Sequence, residues 1–246
     1  MMFFVKIVNQ RKGILTNFGS KIVISLITMQ TKTFLCSWSG GKDSCYAFHK
    51  AANSGFKPTV LLNVLNEHGD RSRSHGIPKE ILEAQGEALG LPIHFFESTW
   101  DDYERLYIEN LKSLQQSYGF GHSVFGDIDI ESHRAWEEKV SKAAGVSAIL
   151  PLWQESRTPL VIEMIQNGIE AIITSCNQVL GPDFLGRKID AQLLKELEEI
   201  GVDPCGENGE YHTLVINAPL FCKPLDIRVM GKEKSTNYNF ATLELV

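Results

Sequence analysis

At 246 residues, with 43% hydrophobic and 22% charged content, the chain can bury a large core and has the make-up of a soluble globular protein. Its 24 basic and 30 acidic residues leave a net charge of −6, which offers no overall electrostatic footprint for nucleic acid. Five irregularly spaced cysteines, with no CxxC pair and no zinc spacing, argue against a disulfide scaffold and for a reducing, cytoplasmic setting; no apolar run reaches the length of a membrane span.

Residues 1–28 stand apart. They contain no Asp or Glu, and Lys6, Arg11, Lys12 and Lys21 sit among short apolar runs. The run Ile22 to Met29 is too short and interrupted for a secretory signal; an upstream start codon or an extension without catalytic role is the preferred reading, with an organelle transit segment, which the acid-poor composition fits, as the alternative. From Met29 strand and helix alternate. Thr33–Trp38 is the first strand, and a helix runs from Ser44 to Ser54 and stops at Gly55. Thr59–Leu65 is a near-continuous apolar strand, the kind buried on both faces of a parallel sheet. The polar loop 66–76 carries His68, Arg71, Arg73 and His75. A helix with Ile81, Leu82, Gln85, Ala88 and Leu89 on one face follows and ends at Gly90. Then come strand Pro92–Phe96, a helix capped by Asp101 or Asp102, strand Ser123–Gly126, a helix around Trp136 and Val140, and strand Ala148–Leu150. This alternation predicts an α/β fold with a doubly wound parallel sheet.

Beyond Pro151 the texture changes. Helix Leu160–Asn167, strand Ala171–Ser175, a Gly/Pro-marked loop at 181–187, a helix capped by Asp190 and strand-like stretches from Leu214 predict a smaller α+β region that serves the substrate. The expected division is therefore 1–28, 29–150 and 151–246.

The chemistry begins at Ser39-Gly40-Gly41-Lys42-Asp43-Ser44, between the first strand and the first helix. Two glycines let the backbone approach an anion and take φ values that other residues resist. The helix N-terminus adds free N–H groups and a favourable dipole. Lys42 supplies a cation, and Ser39 and Ser44 supply hydroxyls. A Walker A loop is excluded, because Cys36 occupies its glycine position and Asp43 follows the lysine; GxGxxG is absent too. SGGxDS after a first strand is the signature of the PP-loop ATP pyrophosphatases, a HUP-like superfamily that this chain resembles. Ligands of open α/β sheets lie beyond the carboxyl ends of the strands. Asp127 and Asp129 fall at that edge and are candidates to hold magnesium on ATP, with helix capping as the alternative for Asp129.

A second dense stretch is Pro204-Cys205-Gly206-Glu207-Asn208-Gly209-Glu210-Tyr211-His212-Thr213. A hairpin turn needs Asn-Gly; it does not need Glu207, Glu210 and His212. SGGKDS near the start together with GENGEYHT near the end looks like the diphthine–ammonia ligase family. The similarity runs from Met29 to Phe221 and takes in the His75 loop, Phe125-Gly126-Asp127 and Pro151-Leu152-Trp153. Members of that family adenylate a carboxylate with ATP, release pyrophosphate and let ammonia displace AMP. The resemblance implies Ser39, Gly40, Gly41, Lys42, Asp43 and Ser44 at the ATP phosphates, with His75 and Asp127 beside the nucleotide and magnesium as its counter-ion. It implies Glu207, Asn208, Gly209 and Glu210 at the acyl substrate, and Lys42, Glu207 and Glu210 in catalysis. The expected partners are ATP, ammonia and a carboxylic acid carried on a modified protein side chain; the oligomeric state, a homo-oligomer or a monomer, is left open.

Two other readings stay within the superfamily. A tRNA-modifying enzyme that adenylates a base for thiolation wants paired cysteines or a metal cluster and a basic surface, neither of which is evident. A nucleotide sensor without turnover needs neither Lys42 nor a carboxylate-rich second loop. The ligase reading leads.

Overall fold

The computed structural model describes residues 32–246, and the extension expected over 1–28 lies outside them. Strands β1 (Thr33–Ser37), β2 (Lys57–Leu65), β3 (Ile93–Glu97), β4 (His122–Val124) and β5 (Ser147–Ile149) form a parallel sheet in the order β3-β2-β1-β4-β5. Period-two alternation explains why both faces are covered. Phe34, Cys36 and Trp38 enter one core with Leu61 and Leu65, while Leu35 enters the other with Val60 and Leu62. Helices α1 (Lys42–Asn53) and α2 (Lys79–Leu89) supply the first core through Phe48, Ile81 and Leu82; α3 (Tyr103–Tyr118) and α4 (Glu131–Ala143) supply the second through Tyr107, Leu111 and Val140. The doubly wound α/β prediction is borne out.

The remaining elements are α5 (Arg157–Gln166), β6 (Glu170–Asn177), α6 (Ala191–Glu199), β7 (Tyr211–Asn217), β8 (Ile227–Lys234) and β9 (Tyr238–Leu245). Their strands make a smaller antiparallel sheet in the order β7-β6-β9-β8. β7 begins at Tyr211, so the expected strand start at Leu214 is three residues late; Tyr211, His212 and Thr213 are paired with Cys176, Ser175 and Ile173. Asp190 caps α6 as expected, accepting from the Leu193 N–H at 2.8 Å. Asp102 stands at the start of α3 but turns back, and its Oδ1 accepts from the N–H and hydroxyl of Thr99 at 2.7 and 2.8 Å.

Gln85 locks the two sheets onto the glycine loop. This fully buried side chain donates through Nε2 to the carbonyls of Gly40 (3.0 Å) and Val215 (2.7 Å), and its Oε1 accepts from Trp38 Nε1 at 2.8 Å. Beside it the Val215 N–H donates to the Gly40 carbonyl at 2.9 Å. Gln85→Leu keeps the volume but takes the partner from the Trp38 indole N–H and the Val215 carbonyl, while the Gly40 carbonyl keeps the Val215 N–H. Each unsatisfied group costs about 1–3 kcal/mol, so urea unfolding is expected to show a loss of about 2 kcal/mol or more; a loss under about 1 kcal/mol contradicts this role.

Candidate nucleotide site

The chain leaves β1 toward β2 and β3, then returns to the other side of β1 with β4, so the strand order reverses between β1 and β4. Crevices at such a reversal are where open α/β sheets bind ligands. A cavity of about 660 Å³ opens there, and its walls include Ser39, Lys42, Asp43, Asp127, Glu207 and His212.

Sterics dictate the glycines. Gly40 has φ +85°, and a Cβ on it would lie 2.7 Å from Leu82 Cδ2. Gly41 precedes α1 with no side-chain cap, and its Cβ would lie 2.5 Å from His75 Cε1 and 3.1 Å from the Thr213 carbonyl. Gly126, just past β4, faces the first turn of α1 so closely that a Cβ would sit 2.7 Å from the Asp43 carbonyl carbon and from the Ser44 nitrogen. Ser44 Oγ donates to the Gly41 carbonyl (3.1 Å), which leaves Ser39 the donor in its 3.0 Å contact with Ser44. One first-turn N–H, that of Lys42, donates to Thr213 Oγ1 at 3.1 Å.

Lys42 is buried, and its Nζ donates to Asp43 Oδ2 (2.8 Å) and to the Cys205 carbonyl (2.5 Å) with the Tyr211 ring 5.3 Å away. Burial alone would lower its pKa, but the Asp43 carboxylate and the Tyr211 and Cys205 side chains hold it above the usual lysine value. The cation of the first motif is thus bonded to the backbone of the second. Asp43 Oδ1 is buried without a hydrogen-bond partner.

Glu207 lines the same cavity. Burial, then the negative charge of Asp43, lift its pKa to about 7, and Lys42 opposes them. A strut holds it. Arg157, at the start of α5, binds Asp129 through Nε and Nη2 (2.9 and 2.8 Å) and Asp203 through Nη1 (2.5 Å). Asp203 then accepts from the Cys205 N–H at 3.0 Å and the Glu207 N–H at 2.9 Å. Both Asp129 oxygens are thus engaged by Arg157, and the residue at the cap of α4 is Ile130. Asn208 and Glu210 bond one another, backbone N–H to Oε2 and Nδ2 to Oε1, each at 3.1 Å, and are absent from the cavity wall, whereas Gly209 lines it.

His75 and His212 lie with ring centroids 4.7 Å apart. Burial lowers His75 to about 4 and His212 to about 3, so both imidazoles are neutral near pH 7. His75 Nδ1 carries the proton, because it meets the Thr213 carbonyl at 3.0 Å. Of the other polar groups in the 66–76 loop, Arg71 pairs with Asp70, and Arg73 binds Glu67 and the Ser98 carbonyl.

Asp127 reaches the cavity beside Glu137 of α4. Burial pushes Asp127 up, but hydrogen bonds from His133 (2.7 Å) and Glu137 outweigh it and hold the carboxyl below its usual range. Burial, followed by the interaction with Asp127, raises Glu137 to about 11. One carboxyl keeps its charge and the other its proton, since neighbouring like charges do not both ionise. Among the described residues no three His, Cys, Asp or Glu could hold a metal ion together. For a magnesium ion arriving with ATP, the orphaned Asp43 Oδ1 fits better than Asp127, whose Oδ1 is taken by a histidine that its contact favours as the cation.

Sequence reasoning missed Arg157, Asp203, Thr213 and Glu137. Two of them left a trace: Thr213 closes the second motif, and Glu137 is a carboxylate three residues before Val140 on the buried stripe of a helix. If the Arg157 strut positions Glu207, Arg157→Ala removes a charge that opposes the raised Glu207 pKa. The pH midpoint of activity is then expected to move upward, where a purely structural loss would lower the rate without moving it.

A glycine cradle at the reversal point of a doubly wound parallel sheet, closed by an antiparallel sheet, defines a PP-loop nucleotide-binding protein. The family profile for the diphthamide synthase N-terminal domain matches residues 31–148, and that for the diphthamide synthase C-terminal domain matches residues 157–244. The chain belongs to the diphthamide synthase family, and its curated relatives are ligases. It is 30% identical over 213 residues to the diphthine–ammonia ligase of Bos taurus, covering 76% of this chain and 79% of that protein. It is 29% identical to that of Homo sapiens, with the same coverage, and 28% identical to that of Danio rerio, over 77% of this chain and 84% of that protein. A likeness to the crystal structure of a predicted subunit of tRNA methyltransferase from Methanocaldococcus jannaschii has a TM-score of 0.41 at 15% identity, covering 76% of this chain and 98% of that one, and is too slight to carry weight.

Proposed function

We propose that this chain is an ATP-dependent diphthine–ammonia ligase that adenylates the substrate carboxylate, releases pyrophosphate and aminates the acyl-adenylate to give an amide and AMP. One observation carries the reading. The buried cation of the phosphate loop is bonded to Cys205, two residues from a carboxyl whose pKa lies near 7. Pyrophosphate departure and amination then share one cavity. The family relatives named as ligases support the same assignment. In this proposal residues 29–150 carry the nucleotide and 151–246 the acyl substrate.

The glycine loop and the α1 N-terminus receive the β- and γ-phosphates. Lys42 exchanges the Cys205 carbonyl for a phosphate oxygen and stabilises the charge that develops on pyrophosphate. Magnesium bound with ATP would neutralise phosphate charge, with Asp43 Oδ1 as its protein contact. His75, neutral and fixed as an Nδ1 donor to the backbone, buttresses Gly41. In the second half, the Glu207 carboxylate takes one proton from ammonium. The freed lone pair forms the C–N bond, the C–O bond to AMP breaks, AMP leaves with that electron pair, and the nitrogen sheds its second proton to solvent. Asn208 and Glu210, bonded to one another, shape the turn that presents Glu207; a direct catalytic part for Glu210 is not carried forward, because its carboxylate is engaged by Asn208.

The experiment incubates the protein with ATP, diphthine-bearing protein and ¹⁵N-ammonium. A product carrying one ¹⁵N amide, with equal AMP, is expected. Product formed without nitrogen, or ADP as the main nucleotide, overturns the reading.

The second reading, adenylation for thiolation, finds no support in the cysteines. Cys36, Cys45, Cys176 and Cys205 are all buried, and burial raises the pKa of each. Among the described residues no helix is long and apolar enough to cross a membrane; a cytoplasmic location is part of the proposal.

A further inference from the structure

The phosphates of ATP and the amination step account for the glycine loop and for Glu207. They leave one end of the cavity unexplained, where Asp127, Glu137, Tyr103 and Trp136 meet. Glu137 is only 3% exposed, and its Oε2 has no hydrogen-bond partner. A buried acceptor left unsatisfied costs stability unless a ligand group completes it. Asp127 beside it retains a negative charge, and Asp43 and Glu207 add to the negative potential it feels and exerts. The aromatic rings stand close: Tyr103 and Trp136 have centroids 5.6 Å apart, and Tyr107 and Trp136 5.0 Å. Ring faces attract cations. Two cations stand nearby without satisfying Glu137 Oε2: His133, favoured as the cation, is spent on Asp127 Oδ1 at 2.7 Å, and Arg73 lies over Trp100 at 4.5 Å and is paired with Glu67.

We propose that Asp127 and Glu137, walled by Tyr103 and Trp136, form a binding subsite for ammonium. An ammonium ion has four N–H donors and no acceptor, and two carboxyl groups offer more than one oxygen to it. Rings complete the shell on the sides where oxygen is lacking. Divalent metals fit poorly, because no third Asp, Glu, His or Cys among the described residues joins the pair. Bound there, ammonium waits in the same cavity as the Glu207 carboxylate that deprotonates it. The inference rests on the ligase reading for its purpose, but not for the existence of the subsite.

The test has a binding arm and a kinetic arm. Tryptophan emission of the full chain is titrated with ammonium chloride, against sodium chloride at equal ionic strength. A saturable change with ammonium alone is expected, lost in Trp136→Phe because the reporter is gone, and shifted at least tenfold to higher concentration in Glu137→Leu, which removes the acceptor that the protonated carboxyl offers. Should Glu137→Leu fail to fold, Tyr103→Leu leaves both carboxyls in place and should weaken ammonium about threefold, the scale of one cation–π contact. In turnover, Glu137→Leu should raise the ammonium KM at least tenfold while the ATP KM moves less than twofold. An equal response to sodium, an unshifted variant, or a rise in the ATP KM instead of the ammonium KM overturns the subsite. Turnover that ignores ammonium in the unaltered protein would overturn the ligase reading, and the titration would still decide the subsite.

Discussion

Lys42→Ala is expected to slow AMP formation by about a hundredfold or more, the scale of losing one preorganised group that stabilises transition-state charge. It should also cost stability. Lys42 and Asp43 form a pair with side chains 4% and 21% exposed, and removing one partner leaves an uncompensated charge, a loss of about 3 kcal/mol. The Cys205 carbonyl loses its donor as well, so the second motif loosens. Arginine at position 42 separates the two effects. It keeps the charge but cannot fit the ammonium geometry between Asp43 and Cys205, so stability should recover in part and rate should not. Full activity in Lys42→Ala, measured as labelled AMP released, contradicts the assigned role.

Glu207→Gln should abolish ammonia-dependent amide formation, by about a hundredfold or more if Glu207 is the general base, while ATP still binds. Its pH behaviour adds a second signature. A base with a pKa of about 7 acts as the carboxylate, so amination should rise with pH through about 7 and then level off. Stability has the opposite sign. The unfolded carboxyl ionises from its ordinary value of 4.5, the folded one only near 7. Between those values the folded chain holds more protons, so this group's contribution falls as pH rises and is fully lost above about 7. Glu207→Gln removes that deficit. At pH 8 the variant should melt no lower than the unaltered protein, although it is inactive. Normal turnover, or loss of ATP binding in a folded variant, sinks the assignment.

The alternation of strands and helices was legible because period-two and helical patterns are local, and glycines such as Gly55 and Gly90 punctuate them. The phosphate loop was legible for the same reason, since its residues are consecutive. Glu207 was found because a turn does not require a carboxylate. What stayed hidden was contact between distant segments. Lys42 is bonded to Cys205, 163 residues away, and Arg157 joins Asp129 to Asp203; no spacing in the chain announces either. Nor does the motif that carries Asn208 and Glu210 announce that the two bond one another. Strand β7 was read as starting late because His212 and Thr213 are polar, and their polarity serves the cavity and the α1 N-terminus.

Isotope transfer tests the central claim, adenylation of a carboxylate at this loop, most directly. Diphthine-bearing protein labelled with ¹⁸O in its carboxylate is turned over with unlabelled ATP and ammonium. When the carboxylate attacks the α-phosphorus and ammonia later displaces AMP, one carboxylate oxygen leaves on AMP. The account predicts AMP bearing one ¹⁸O, with unlabelled pyrophosphate. Unlabelled AMP, or label found in inorganic phosphate alongside ADP, would contradict it.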